Sequence, residues 1–174
     1  TLNSPLAQAR EKIGNGGGGY SCKTSSGEIA SVHLLDLFEG TLPLFPRTQG
    51  YHYQNDSFTI EQELQRALDR ASVNPGFASE LSKAIHQVHE VMVMLPKPAR
   101  LEVTEDANPE VRMKDCEFVQ IANYVVEDGS KQRLDVVEEF YQKMDLLNQA
   151  SLIVHEAVYL LARQYSLDQT SVRS

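Results

Sequence analysis

Leu152-Ile153-Val154-His155-Glu156-Ala157-Val158-Tyr159-Leu160-Leu161 is an apolar helical run with a His-Glu pair at its centre. Apolar residues surround most of this helix, which predicts a central place in the core. A buried polar pair needs partners, because an unpaired polar group in an apolar medium costs several kcal/mol. The fold therefore has to bring other elements to this helix and satisfy the pair there. Spacing puts His155 and Tyr159 on one face with Leu152 and Arg163, and Glu156 beside it. The opposite face carries Ala150, Val154, Ala157, Val158 and Leu161.

The same run begins like the zinc-protease pattern H-E-x-x-H, in which two histidines on successive turns hold one metal. Position 159 is Tyr, so the second ligand of that pattern is missing. Two readings stand. His155, Glu156 and Tyr159 can form a catalytic unit, with His155 as base or ligand, Glu156 as acid–base partner and Tyr159 as phenolic donor. Alternatively, and as the apolar setting favours, His155 and Glu156 are a structural pair joining the helix to a sheet. His86 and His89, with Glu90, form a second cluster. A metal site built on His86, His89 and His155 needs their two helices to pack together, since zinc takes at least three protein ligands. Exposed members of an amphipathic helix are the simpler explanation of His86 and His89.

Working outward, two helices precede the His-Glu run. Thr59 with Gln62 is a capping-box signature and predicts a helix to Ser72. Asn74-Pro75-Gly76 interrupts the pattern, and a second helix follows from Phe77 to Met92, stopped by Pro96 and Pro98. Tyr20–Thr24 and Glu28–Leu34 read as a hairpin around Ser25-Ser26-Gly27. Met113–Val126 reads as one long strand with a bulge, returning from Asp128-Gly129 through Leu134. Leu101–Thr104 reads as a short strand, Asp135 as an N-cap with Glu138, and Asp145 as the start of the last helix. Ser4-Pro5 opens a short helix to Ile13. The expectation is α+β: a small antiparallel sheet of two hairpins, packed by three to four helices, in one domain over residues 1–174. Residues 41–57 read as a long loop. Its aromatics Phe45, Tyr51 and Tyr53, with Phe38 before it, either pin it to the core or line a contact surface. A polar tail follows the last helix, where Arg173 can reach back to Glu156 or Asp36.

Of the 174 residues 41% are hydrophobic and 23% charged, ordinary values for a globular protein. The formal net charge of -8 argues against nucleic acid or an anionic membrane as main partner. No apolar run reaches the roughly 20 residues of a membrane span. Gly14 to Gly19 is no phosphate loop, since it leads from helix to strand and no Lys-Ser/Thr follows. No G-x-S-x-G elbow is present. No cofactor is expected, with zinc as the alternative if the histidine cluster forms. Cys22 and Cys116 make no C-x-x-C. One disulfide closing a long loop is the simplest reading, at about 4–5 kcal/mol by a chain-entropy argument. Two unrelated thiols are the alternative. A disulfide suits an exported protein, and a chain opening at Thr1 fits a leader already removed.

Gly14-Asn15-Gly16-Gly17, Cys22, Leu34 to Glu39, Cys116 with Val119-Gln120-Ile121-Ala122, Ala150 with His155 to Tyr159, and Ser171-Val172-Arg173 occur together in this chain. The combination resembles a set of uncharacterised exported proteins of predatory bacteria. The resemblance spans most of the chain and implies export and the disulfide, but no substrate. It makes H-E-x-x-Y the family's own pattern. The expected protein is an exported binding or structural module, periplasmic or extracellular, with a protein, peptide or envelope partner. The rival is a hydrolase using His155 and Glu156, with or without metal.

Overall fold

The computed structural model describes residues 11–12, 17–41, 59–103, 112–127 and 131–164. Within them the chain is α+β, with five helices and seven strands in two sheets. The three-stranded sheet is antiparallel. β2 (Gly18–Lys23) lies at its centre between β3 (Ile29–Leu34) and β5 (Cys116–Gln120). The four-stranded sheet runs β1 (Glu11–Lys12), β6 (Ala122–Glu127), β7 (Lys131–Val137), β4 (Met92–Leu95). Both expected hairpins form, as β2–β3 and β6–β7. Gly27 makes the first turn with φ 84°, a left-handed conformation that favours glycine.

Several expectations change. Met113–Val126 is two strands, not one: β5 and β6 belong to different sheets and part at Ile121. The Gly17 carbonyl accepts from both Ile121 N (2.9 Å) and Ala122 N (3.2 Å), and fixes the break. Met92 is not helical. The helix ends at Val91, and Met92–Leu95 pairs with β7 in parallel, which makes that sheet mixed. Glu11–Lys12 is a strand on β6 where the end of a first helix was expected. Leu101–Val103 forms no strand, and residues 1–10, most of the 41–57 loop and the 165–174 tail lie outside the described residues.

The helices follow their caps. Thr59 Oγ1 accepts from Gln62 N at 3.2 Å and opens α2 (Ile60–Ala71). Asn74 accepts from Phe77 N and, with Pro75 at the first position, opens α3 (Pro75–Val91). α1 (Leu35–Thr41) grows directly out of β3, and α4 (Glu138–Tyr141) directly out of β7. Asp135 is no cap for α4: it is buried in β7 and paired with Arg133. Asp145 Oδ1 caps α5 (Leu146–Gln164) at Asn148 N, 2.8 Å. α5 packs between α2 and α3, and its Leu152, Ile153, Ala157 and Leu160 enter one core with Leu81, Ile85 and Val88 of α3. The same core takes Val32 and Leu34 from one sheet and Tyr124, Leu134 and Val136 from the other. Among the described residues, no helix is long and apolar enough to cross a membrane.

Candidate functional site

α5 presents one stripe to the three-stranded sheet: Asn148, Leu152 and Glu156, each four residues on from the last, so stacked along one face. Asn148 Oδ1 accepts from Leu34 N at 2.7 Å, where β3 ends. Glu156 Oε1 accepts from Gly17 N at 2.7 Å, where β2 begins. Leu152 lies between them. A Cβ on Gly17 would stand 2.3 Å from Leu152 Cδ1, so any larger residue there would have to push the Leu152 side chain aside. The stripe clamps the open end of the β2–β3 hairpin to the last helix.

Glu156 is fully buried, and no hydrogen-bond partner of its Oε2 lies among the described residues. Burial pushes its carboxyl up to about 7, against the opposing pull of His155 and the Gly17 amide, with Asp36 adding to the rise. Tyr159 is also fully buried. Its ring stacks on Tyr124 at 5.8 Å, with the Arg163 guanidinium 5.7 Å above it. Tyr124 makes a long hydrogen bond, 3.5 Å, to the Glu156 carbonyl. Desolvation, followed by the charge of Glu156, raises the Tyr124 phenol. Neither Glu156 nor Tyr159 reaches a cleft.

His155 behaves differently. Its Nδ1 stands 2.5 Å from Asp36 Oδ2, a contact across 119 positions of sequence. Facing a carboxylate, Nδ1 is the protonated nitrogen and donates. The two side chains are 13% and 19% exposed, so the pair sits at the boundary of the core. It lines a groove of about 430 Å³ between α1, α2 and α5. Leu34, Leu37, Ala150, Val154 and Val158 make the groove apolar. Glu63 with Arg66 (3.2 Å) and Arg70 add charge from α2. Val154 and Val158, expected on the face opposite His155, share this groove with it.

The structure thus joins His155 to Asp36 and Glu156 to Gly17, and leaves Tyr159 in the core. It does not bring His86 and His89 to His155. His86 is 78% exposed on α3 and stands 3.4 Å from Glu90, and His89 is exposed as well. The α3 face that packs on α5 is Leu81, Ala84, Ile85 and Val88, which turns both histidines to solvent. Among the described residues no three His, Cys, Asp or Glu side chains stand close enough to hold a metal ion. Cys22 and Cys116 are directly opposite in the β2–β5 register and joined as a disulfide. Phe38 packs edge-on against Tyr20 at 5.3 Å, so it ties α1 to the sheet; Phe45, Tyr51, Tyr53 and Arg173 lie outside the described residues.

Sequence reasoning missed Asp36 as the partner of His155 and missed Asn148 altogether. Asp36 did stand in the Leu34–Glu39 segment singled out in the sequence. Asn148, three residues after the capping Asp145, carried no signal of its contact with β3. Comparison with known protein families, curated proteins and solved structures gave no match.

Proposed function

We propose that the protein is an exported binding module, periplasmic or extracellular, whose ligand enters the groove between α1, α2 and α5. One observation carries the reading: the groove combines an apolar wall from Leu34, Leu37, Leu147, Ala150, Val154 and Val158 with the Asp36–His155 pair and the α2 charges Glu63, Arg66 and Arg70. That composition is typical of a ligand site, with apolar area for affinity and a few fixed polar groups for orientation. It suits a peptide segment that offers apolar side chains and a polar backbone. The disulfide supports an oxidising compartment. The net charge of -8 disfavours nucleic acid. Glu156, dry and tied to Gly17, serves as an internal clamp in this reading. The test is to pan a random-peptide library against the whole protein and against Val154→Arg, which places a charge in the groove wall. Clones that bind the parent and lose the variant are expected. Clones that bind both alike, or no clones at all, sink the proposal.

A hydrolase is the second reading, favoured by the Asp36–His155 hydrogen bond alone. A carboxylate that holds the far nitrogen of a histidine is the orienting half of a general-base site. In this reading His155 is the base and Asp36 its orienter, and Glu156 acts only through its charge. A peptidase or esterase activity lost in His155→Gln, with melting unchanged, would put this reading first.

A further inference from the structure

A second concavity, of about 670 Å³, shares no lining residue with the α1–α2–α5 groove. It lies over one face of the three-stranded sheet, and α4 and residues 97–103 close it from the other side. Ser21 and Glu117 stand opposite each other in the β2–β5 register, and Lys23 is two residues on from Ser21, so all three share that face. Ser21, on the central strand, forms the floor. It is 2% exposed, and no hydrogen-bond partner of its Oγ lies among the described residues. A buried hydroxyl left in that state favours a ligand that brings it a partner.

Four basic and three acidic side chains line the cleft, so its charges nearly cancel in sum. They do not cancel in place. Lys23 and Glu117 neutralise each other at 2.8 Å. Lys97 (2.6 Å) and Arg100 (3.2 Å) share the single carboxylate of Glu139 on α4, which leaves that cluster one positive charge in excess. Glu28 and Lys143 remain. Both are exposed, and no ion-pair partner of either lies among the described residues. Glu28 ends the β2–β3 turn, where its carbonyl accepts from Thr24 N. Lys143 follows α4, and its carbonyl accepts from Val32 N at 3.0 Å. Glu28 and Val32 are four steps apart along β3, roughly 13 Å of extended chain. The cleft is therefore negative at the turn end and positive at the α4 end.

We propose that this cleft binds a short zwitterionic peptide, about three residues long, with its α-ammonium toward Glu28 and its α-carboxylate toward Lys143. An extended tripeptide spans about 10 Å, and the reach of the two side chains takes up the rest. The excess charge of the Lys97–Glu139–Arg100 cluster adds to the pull on the carboxylate. Ser21 Oγ is placed to bond a peptide group between the two ends. A free amino acid reaches one end only, and an internal segment of a longer chain brings no terminal charge to either. A ligand with a single charge meets a like charge at one end of the cleft. This site is separate from the α1–α2–α5 groove and takes a ligand the groove has no reason to prefer.

The test titrates the whole ¹⁵N-labelled protein with trialanine, N-acetyl-trialanine, trialanine amide and free alanine, in the millimolar range. Trialanine is expected to shift amides within residues 21–29 and at Lys143. Each blocked peptide should bind about two- to fivefold more weakly, and free alanine weaker still. Glu28→Gln should remove the penalty of acetylation alone, and Lys143→Gln that of amidation alone. Both changes face solvent, so the melting temperature should hold, and the blocked peptides test the proposal on the parent protein without any variant. Equal binding of the three peptides, alanine binding as well as trialanine, no shifts in the cleft, or penalties that persist in the variants each overturn the proposal. So does a response confined to the α1–α2–α5 groove, which would instead support the groove as the peptide site.

Discussion

A carboxyl group taken wholly out of water loses its hydration, and Glu156 regains only part of it from the Gly17 amide and the nearby His155. Its titration moves up to about 7, while in the unfolded chain it returns to the ordinary glutamate value of 4.5. Between these two values the native state holds a proton that the unfolded state has released. The stability this group supplies is therefore complete below the ordinary glutamate range and is lost as pH rises through about 7. The loss is on the order of 3 kcal/mol at most. Glu156→Gln keeps an oxygen for Gly17 N and cannot ionise. Urea melts of the two proteins should then differ little at about pH 5, with the variant the more stable at about pH 8. Parallel curves at both would show that the carboxyl is solvated in solution. The sequence announced this residue by setting a His-Glu pair in an apolar run, which obliges partners to exist. It could not name them, because Asp36 and Gly17 are 119 and 139 positions away and only the packing of α5 on the hairpin brings them in.

At the level of elements, legibility followed locality. α2, α3 and α5 were readable because Thr59, Asn74 and Asp145 satisfy amide groups within their own first turns. The β2–β3 turn was readable because Gly27 needs a conformation that glycine favours. The division of Met113–Val126 was not readable, because strand pattern is continuous through Ile121 and only the distant Gly17 carbonyl breaks it. β4 escaped for a related reason: Met92–Leu95 prolongs the apolar pattern of α3 and becomes a strand only because β7 offers a free edge. Glycines test the packing of these elements directly. A Cβ on Gly19 would stand 2.4 Å from the His33 carbonyl and 2.6 Å from Ile121 Cδ1. β2 is flanked by strands on both sides and cannot shift away from a backbone atom. Gly19→Ala should cost roughly 1–3 kcal/mol or more. Gly76 is the control, in the first turn of α3 with its nearest contact at 3.5 Å. Gly76→Ala should stabilise by about 0.5–1 kcal/mol. If thermal melts order the two the other way, the close approach of β2 to β3 at position 19 is wrong.

Across the whole molecule, neither sheet has a core of its own. α5 contributes Leu152 beside the β2–β3 hairpin and Tyr159 against Tyr124 of the other sheet, and both sheets feed the same cluster of buried side chains. Asn148 and Glu156 fasten the hairpin to that helix by hydrogen bonds, and the break at Ile121 leaves a single residue between the sheets. Elements that share one helix and one core lose both together, so the two sheets should unfold in one transition. 3-Fluorotyrosine placed singly at Tyr20, in the three-stranded sheet, and at Tyr124, in the four-stranded one, reports each by ¹⁹F NMR. The two midpoints should coincide. The disulfide sharpens the test, because Cys22–Cys116 lies wholly within the three-stranded sheet. Reduction should destabilise the protein by about 2–4 kcal/mol. If the shared core governs, both fluorine signals move down together after reduction. A Tyr20 signal that melts first while Tyr124 holds would mean that the α5 stripe is too weak to couple the sheets, and the clamp role given to Glu156 would fall with it.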